Sequence, residues 1–130
     1  MLVADDDPGI LELVTARLDL AGYISCKAKN GIECMSRLTE LKPAALILDI
    51  NMPGRDGFDV LRRMGPKGVA KTPTMVLTAR NEPEDVRRAI VLGARDYLAK
   101  PFKDEQLLMR VARLLRRASA GPPTAPTIEL

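Results

Sequence analysis

Short apolar segments alternate with longer segments of helical periodicity along most of this chain. The clearest apolar segment is Ala44–Leu48, whose five consecutive apolar residues predict a strand buried on both faces of a sheet. Four further strands are predicted at Met1–Ala4, Tyr23–Ala28, Thr74–Leu77 and Asp96–Ala99. Because strands that alternate with helices form parallel sheets, the pattern predicts an α/β fold with helices on both faces of a five-stranded sheet.

Five helices are predicted from capping residues and from the spacing of apolar residues. Asp7-Pro8 is typical of a helix start, since Asp is a good N-cap and Pro suits the first helical position. The others are predicted to begin at Asn30-Gly31 and to lie at Gly57–Met64, Glu82–Leu92 and Asp104–Ala118, with a loop at Gly65–Pro73. In the fourth helix, Val86, Ala89 and Ile90 are predicted to face inward.

The overall composition excludes several classes of protein. A chain of 130 residues suits one domain, and no apolar run approaches the roughly 18 residues that a membrane-spanning helix needs. The absence of His excludes histidine zinc sites and histidine acid–base catalysis. Cys26 and Cys34 have no metal-ligand spacing, and we interpret them as reduced packing residues of a cytoplasmic protein.

Polar side chains follow four of the five predicted strands. Asp5 and Asp6 follow the first strand, Asp49 the third, Thr78 the fourth and Lys100 the fifth. Each has an ordinary structural explanation alone, as a helix cap, a turn residue or a surface charge. Ligands bind at the carboxyl ends of strands in open parallel sheets, so the five together predict a functional site at that edge.

The residue types at this edge favour phosphoryl chemistry. Clustered carboxylates repel one another unless a cation joins them, and Mg²⁺ is the hard cation that carboxylates and phosphate oxygens share. Asp49 is placed to be the nucleophile that forms an acyl phosphate. Lys100 would supply a positive charge to the transferring group, and Thr78 would donate a hydroxyl to a phosphoryl oxygen.

Four stretches of the chain carry a resemblance to a known family. They are Leu2–Asp7, Leu48–Gly54, Leu77–Ala79 and Lys100–Phe102. In this order and spacing they resemble the receiver domain of bacterial two-component response regulators, over about residues 1–118. The resemblance implies a flavodoxin-like (βα)5 fold, a doubly wound parallel sheet with strand order 2-1-3-4-5.

The resemblance also assigns roles at the predicted site. It implies that Asp49 accepts a phosphoryl group from a sensor histidine kinase or a phosphotransfer protein, and that Thr78 and Lys100 bind the phosphoryl oxygens. Magnesium, for which Mn²⁺ can substitute, would be held by Asp5, Asp6, Asp49 and the backbone carbonyl of Asn51. The Lys100-Pro101 peptide bond is expected to be cis.

The resemblance implies a switch as well as a site. Tyr97 would turn inward when Thr78 moves, and Asn51 and Arg80, each two residues past a site residue, would tune the lifetime of the phosphorylated state.

The last third of the chain resembles receivers that dimerise through the fourth helix, fifth strand and fifth helix, and that carry winged-helix DNA-binding domains. Arg88, Asp96 and Arg110 match the charged residues of that dimer surface, whereas Arg95 and Gln106 stand where acids are usual. Residues 119–130 are interpreted as a linker or tail leading to a missing output domain, through which alone DNA would be bound.

Three other functions remain as alternatives. A haloacid-dehalogenase-like phosphatase also uses a strand-end Asp with Mg²⁺, but it needs a second Asp two residues later, where this chain has Asn51. A nucleotide-binding module would need a glycine-rich first turn in place of Asp5-Asp6-Asp7. An interaction module with a degenerate site is the third alternative, and it is weakened because every functional position is filled.

Overall fold

Five parallel strands form one sheet in the order β2-β1-β3-β4-β5. The computed structural model describes residues 1–119. The strands are β1 (Leu2–Ala4), β2 (Cys26–Ala28), β3 (Leu46–Leu48), β4 (Thr74–Thr78) and β5 (Asp96–Ala99). The predicted α/β class and strand order are both confirmed.

Alternating side chains of the strands build two hydrophobic layers, one on each face of the sheet. In β3, Leu46 and Leu48 pack into one layer and Ile47 into the other, and all three are at most 1% exposed. The first layer also receives Phe58 and Leu61 from the third helix, and the second receives Leu107 and further residues of the first and fifth helices. Burial on both faces explains why β3 is an uninterrupted apolar run.

Five helices connect and follow the strands. They are α1 (Pro8–Leu20), α2 (Gly31–Leu41), α3 (Gly57–Lys71), α4 (Pro83–Val91) and α5 (Asp104–Ser119). Asp7 caps α1 as predicted, accepting hydrogen bonds from the backbone N–H groups of Gly9 at 2.8 Å and Ile10 at 3.4 Å. Asn30 caps α2 in the same way, through the N–H of Glu33 at 2.8 Å.

The third helix is longer than predicted, because Gly65–Pro73 is not a loop throughout. Gly65 has φ 68° and ψ 173°, which breaks the helix at that residue. Pro66 then restarts it, since the fixed φ of proline suits a first helical turn, and the helix continues to Lys71. Val69 in this second part is buried, so packing against the core stabilises a segment that the Gly-Pro pair alone would make a loop.

Two smaller predictions are also corrected. Strand β2 starts at Cys26 rather than Tyr23, because the N–H of Tyr23 bonds to the carbonyl of Leu18 and so belongs to the end of α1. Ile90 was predicted to face inward, but it is 56% exposed. Helix α4 instead buries Asp85 and Ala89, which lie four residues apart on one face.

Within residues 1–119, no helix combines the length and apolar character required to cross a membrane. The predicted linker at residues 119–130 lies, beyond its first residue, outside the described residues.

Candidate functional site

The register of the sheet brings the predicted site residues to one edge. Ala4 of β1 pairs with Leu48 of β3, so the next residues, Asp5 and Asp49, leave the sheet side by side. Thr78 of β4 pairs with Ala99 of β5, and Lys100 follows directly. The carboxyl ends of four strands therefore meet around Asp49, which follows the central strand.

Three carboxylates form a cluster at this edge. One oxygen from each of Asp5, Asp6 and Asp49 lies within 4.8 Å of the other two. Asp5 is 2% exposed and Asp49 is 5% exposed, whereas Asp6 faces solvent. Hard carboxylate oxygens at this spacing fit Mg²⁺, which binds through one or two carboxylates and keeps several waters.

Lys100 supplies positive charge to the two buried carboxylates. Its Nζ lies 2.6 Å from Asp5 Oδ2 and 3.3 Å from Asp49 Oδ2. Burial raises the pKa of Asp5 above its ordinary value, although the Lys100 hydrogen bond and the Asp7 N–H oppose this. Burial alone would lower the pKa of Lys100, but its bond to Asp5 and the charge of Asp49 outweigh burial, so this pKa is raised. The ammonium group therefore stays charged.

Backbone groups hold both buried carboxylates in place. The N–H of Asp7 donates to Asp5 Oδ1 at 2.9 Å, and the N–H of Asn51 donates to Asp49 Oδ1 at 3.2 Å. The peptide bond between Lys100 and Pro101 is cis.

Thr78 and Tyr97 are joined through Arg80. Thr78 is fully buried, and its Oγ1 accepts a hydrogen bond from the N–H of Arg80 at 3.3 Å. The hydroxyl of Tyr97 donates to the backbone carbonyl of Arg80. Burial raises the pKa of this phenol, with a further contribution from the negative charge of Asp85. The two predicted switch residues thus bond to the backbone of the same residue.

The residues predicted for a dimer surface make contacts inside the chain. Arg110 Nη1 lies 2.5 Å from Asp96 Oδ1, so this pair joins α5 to β5. The guanidinium carbon of Arg88 lies 4.1 Å from the centre of the Phe58 ring, close enough for a cation–π contact.

Asp85 is a residue that the sequence did not single out. It is 8% exposed on α4, and Arg80 Nε lies 2.9 Å from its Oδ1. Its position four residues before Ala89 was the available signal, because that spacing places both residues on one helix face. A prediction that uses only the helical spacing of apolar residues does not identify a buried acidic residue such as Asp85.

Comparisons with known proteins agree with this geometry. The family model described as the response regulator receiver domain matches residues 1–112. The DNA-binding dual master transcriptional regulator RpaA of Synechocystis is 38% identical over 131 residues, covering 100% of this chain and 54% of RpaA. The chain thus spans about half the length of this relative.

Several solved structures with the same fold are more than 25% identical to this chain, and two of them are as follows. Chemotaxis protein CheY4 of Vibrio cholerae is 33% identical, with a TM-score of 0.80 and coverage of 88% of this chain and 96% of CheY4. The BeF3-activated DrrB receiver domain is 31% identical, with a TM-score of 0.80 and coverage of 89% of this chain and 96% of that domain.

Proposed function

Because the chain belongs to the response regulator receiver domain family, we propose that it is a signalling switch operated by phosphorylation of Asp49. The phosphoryl donor would be a sensor histidine kinase or a phosphotransfer protein in the cytoplasm. The observation that carries the proposal is the nearly buried carboxylate of Asp49, with Lys100 Nζ 3.3 Å away and two further carboxylates beside it.

The transfer would proceed by direct displacement at phosphorus. An oxygen of Asp49 forms a bond to phosphorus while the bond between phosphorus and the donor histidine nitrogen breaks, and that nitrogen keeps the electron pair. The ammonium of Lys100 then pairs with the phosphoryl oxygens, and the hydroxyl of Thr78 donates to one of them. Thr78 ends β4, the strand beside β3, and Lys100 follows β5, which is one strand further along the sheet.

Asp5, Asp6, Asp49 and the backbone carbonyl of Asn51 would hold the Mg²⁺ that this chemistry requires, and Mn²⁺ would substitute. A bound divalent ion supplies positive charge to the transferring group. Burial raises the pKa of Asp5 and the negative charge of Asp49 raises it further, which fits a site where a divalent ion would stabilise the carboxylates.

The same site disfavours a phosphatase that acts on outside substrates. Such an enzyme needs an acid–base group near the nucleophile, and the residue two positions after Asp49 is Asn51, an amide whose Oδ1 accepts from Arg80 at 3.4 Å. The chain would therefore catalyse its own phosphorylation and dephosphorylation and no other reaction.

We propose that the readout is the surface formed by α4, β5 and α5. Phosphorylation would move Thr78, and Tyr97 would follow. Both helices leave large apolar side chains exposed, with Ile90 56%, Val91 78% and Met109 55% exposed. This surface would support a homodimer that includes Arg88, Asp96 and Arg110.

Residues 1–118 would form the receiver, and residues 119–130 would connect it to an output domain that binds DNA.

The test is phosphorylation of the wild type beside Asp49→Ala, with acetyl phosphate and Mg²⁺. We expect intact-mass spectrometry to show one added phosphoryl group on the wild type only, removable by hydroxylamine because it is an acyl phosphate. Size-exclusion chromatography with and without fluoroberyllate measures dimerisation. Wild type that gains no phosphoryl group and gives no fluoroberyllate response would contradict the proposed switch.

A further inference from the structure

The side chain of Arg80 connects the phosphorylation site to α4. Its Nη1 donates to Asn51 Oδ1 at 3.4 Å, on the loop that follows Asp49. Its Nε lies 2.9 Å from Oδ1 of Asp85, in the first turn of α4. The guanidinium carbon of Arg80 lies 5.4 Å from the centre of the Phe58 ring. One charged group thus contacts the loop after β3, the start of α4 and a core aromatic.

Asp85 depends on this contact. Its side chain is 11% exposed, and among the described residues Arg80 is the one basic group that forms an ion pair with it. A carboxylate this far from water is costly without a counter-charge, and removal of one partner of such a pair destabilises the other. The position of α4 is therefore coupled to the position of the Arg80 guanidinium.

We propose that Arg80 is a positioning residue through which the charge at Asp49 controls the position of α4. The proposal rests on the proposed phosphorylation of Asp49. A phosphoryl group there adds negative charge two residues from Asn51, whose Oδ1 accepts a hydrogen bond from the Arg80 guanidinium. The phosphoryl group and Asp85 then compete for the same positive charge.

The outcome of this competition is a movement of α4. When the guanidinium turns toward the phosphoryl group, Asp85 loses its partner and regains water only if the start of α4 moves outward. Ala89 is the one apolar residue that α4 buries fully, so little packing opposes that movement. The carbonyl of Arg80 also accepts the Tyr97 hydroxyl, so the movement reaches β5 as well.

The test is a double-mutant cycle on affinity for fluoroberyllate in the presence of Mg²⁺. The variants are Asp85→Asn, Arg80→Ala and the double variant, with binding followed by backbone amide shifts in NMR spectra. Asp85→Asn removes the competing charge, so we expect it to tighten binding by about fivefold or more. In the Arg80→Ala background the same change should alter affinity by less than about twofold, because the group competed for is gone.

Asp59→Asn is the matched control. Asp59 also lies in the first turn of its helix and pairs with arginines, with Arg62 and Arg63 each at 3.2 Å. Its substitution should leave the affinity at the wild-type value. Thermal unfolding shows whether each variant is folded, and Arg80→Gln, which also lacks the positive charge, replaces Arg80→Ala if the latter does not fold.

Two results would overturn the coupling. One is that Asp85→Asn binds fluoroberyllate with the same affinity as the wild type. The other is that Asp85→Asn changes this affinity equally in the presence and in the absence of Arg80. If the wild type itself does not respond to fluoroberyllate, the proposed phosphorylation and this inference fail together. A normal wild-type response beside an unaltered Asp85→Asn response removes the inference alone.

Discussion

The ammonium group of Lys100 lies closer to Asp5, at 2.6 Å, than to Asp49, at 3.3 Å. The lysine therefore pairs with two carboxylates and not with Asp49 alone. A divalent ion held by the acidic cluster would neutralise part of the charge on Asp5 and Asp49, so the Lys100 ammonium would become available to a phosphoryl group beside Asp49.

Replacement of Lys100 should make folding depend on a divalent ion. In Lys100→Ala, Asp5 and Asp49 stay buried without a counter-charge, so we expect the free energy of unfolding to fall by about 3 kcal/mol without Mg²⁺. Added Mg²⁺ should raise the melting temperature more in this variant than in the wild type. Lys103→Ala, on an exposed lysine, is the control. Equal stabilisation of all three proteins by Mg²⁺ would contradict the prediction.

Gly57 should tolerate no side chain. A Cβ atom there would lie 2.5 Å from the backbone oxygen of Asp49 and 2.7 Å from Ile50 Cα. Because backbone atoms have to shift, we expect Gly57→Ala to lower the free energy of unfolding by about 2 kcal/mol and to slow phosphorylation by acetyl phosphate. Denaturant unfolding and mass spectrometry measure the two effects. Gly68→Ala, whose nearest contact is Met64 Cβ at 3.1 Å, should change either quantity little.

Stability at alkaline pH should depend on Tyr97. Burial raises the pKa of this phenol, so the folded protein holds its proton at a pH where the unfolded chain has begun to release it, near 10 and above. The free energy of unfolding therefore falls as pH rises through this window. In Tyr97→Phe this part of the fall should disappear, and the lost hydrogen bond should cost about 1 kcal/mol at neutral pH. If the free energy of unfolding of wild type and Tyr97→Phe depended on alkaline pH in the same way, the prediction for Tyr97 would be wrong.

The two cysteines should differ in reactivity. Cys34 is fully buried, and burial raises its pKa to about 12, so little thiolate forms near pH 8. Cys26 is partly exposed. We expect a thiol reagent such as dithionitrobenzoate to titrate no more than one thiol in the folded protein and two in denaturant. In Cys26→Ser the folded protein should react with none, and a rapid reaction there would show that Cys34 is accessible.

The site residues at the strand ends were predictable, because four of the five predicted strands are followed by a polar side chain, and a polar group at a buried position needs a partner or a function. Asp49 and Thr78 are identified by this pattern alone, without the family resemblance. The contacts of Arg80 with Asp85 and Asn51 were not predictable, since they join separate elements at distances that no spacing within one helix encodes. The restart of α3 after Gly65 was missed for a similar reason, because Val69 becomes helical through tertiary packing.

The small number of apolar residues that α4 buries has a consequence for the dynamics of the domain. Ala89 is its one fully buried apolar residue, whereas β4 beside it is buried along its whole length from Thr74 to Thr78. Local opening of α4 should therefore cost far less than opening of the sheet. Amide hydrogens of α4 should exchange with solvent at rates set by local opening of the helix. Those of β4 should exchange only through global unfolding. Because its local opening needs little free energy, α4 can change position many times within the lifetime of one folded molecule.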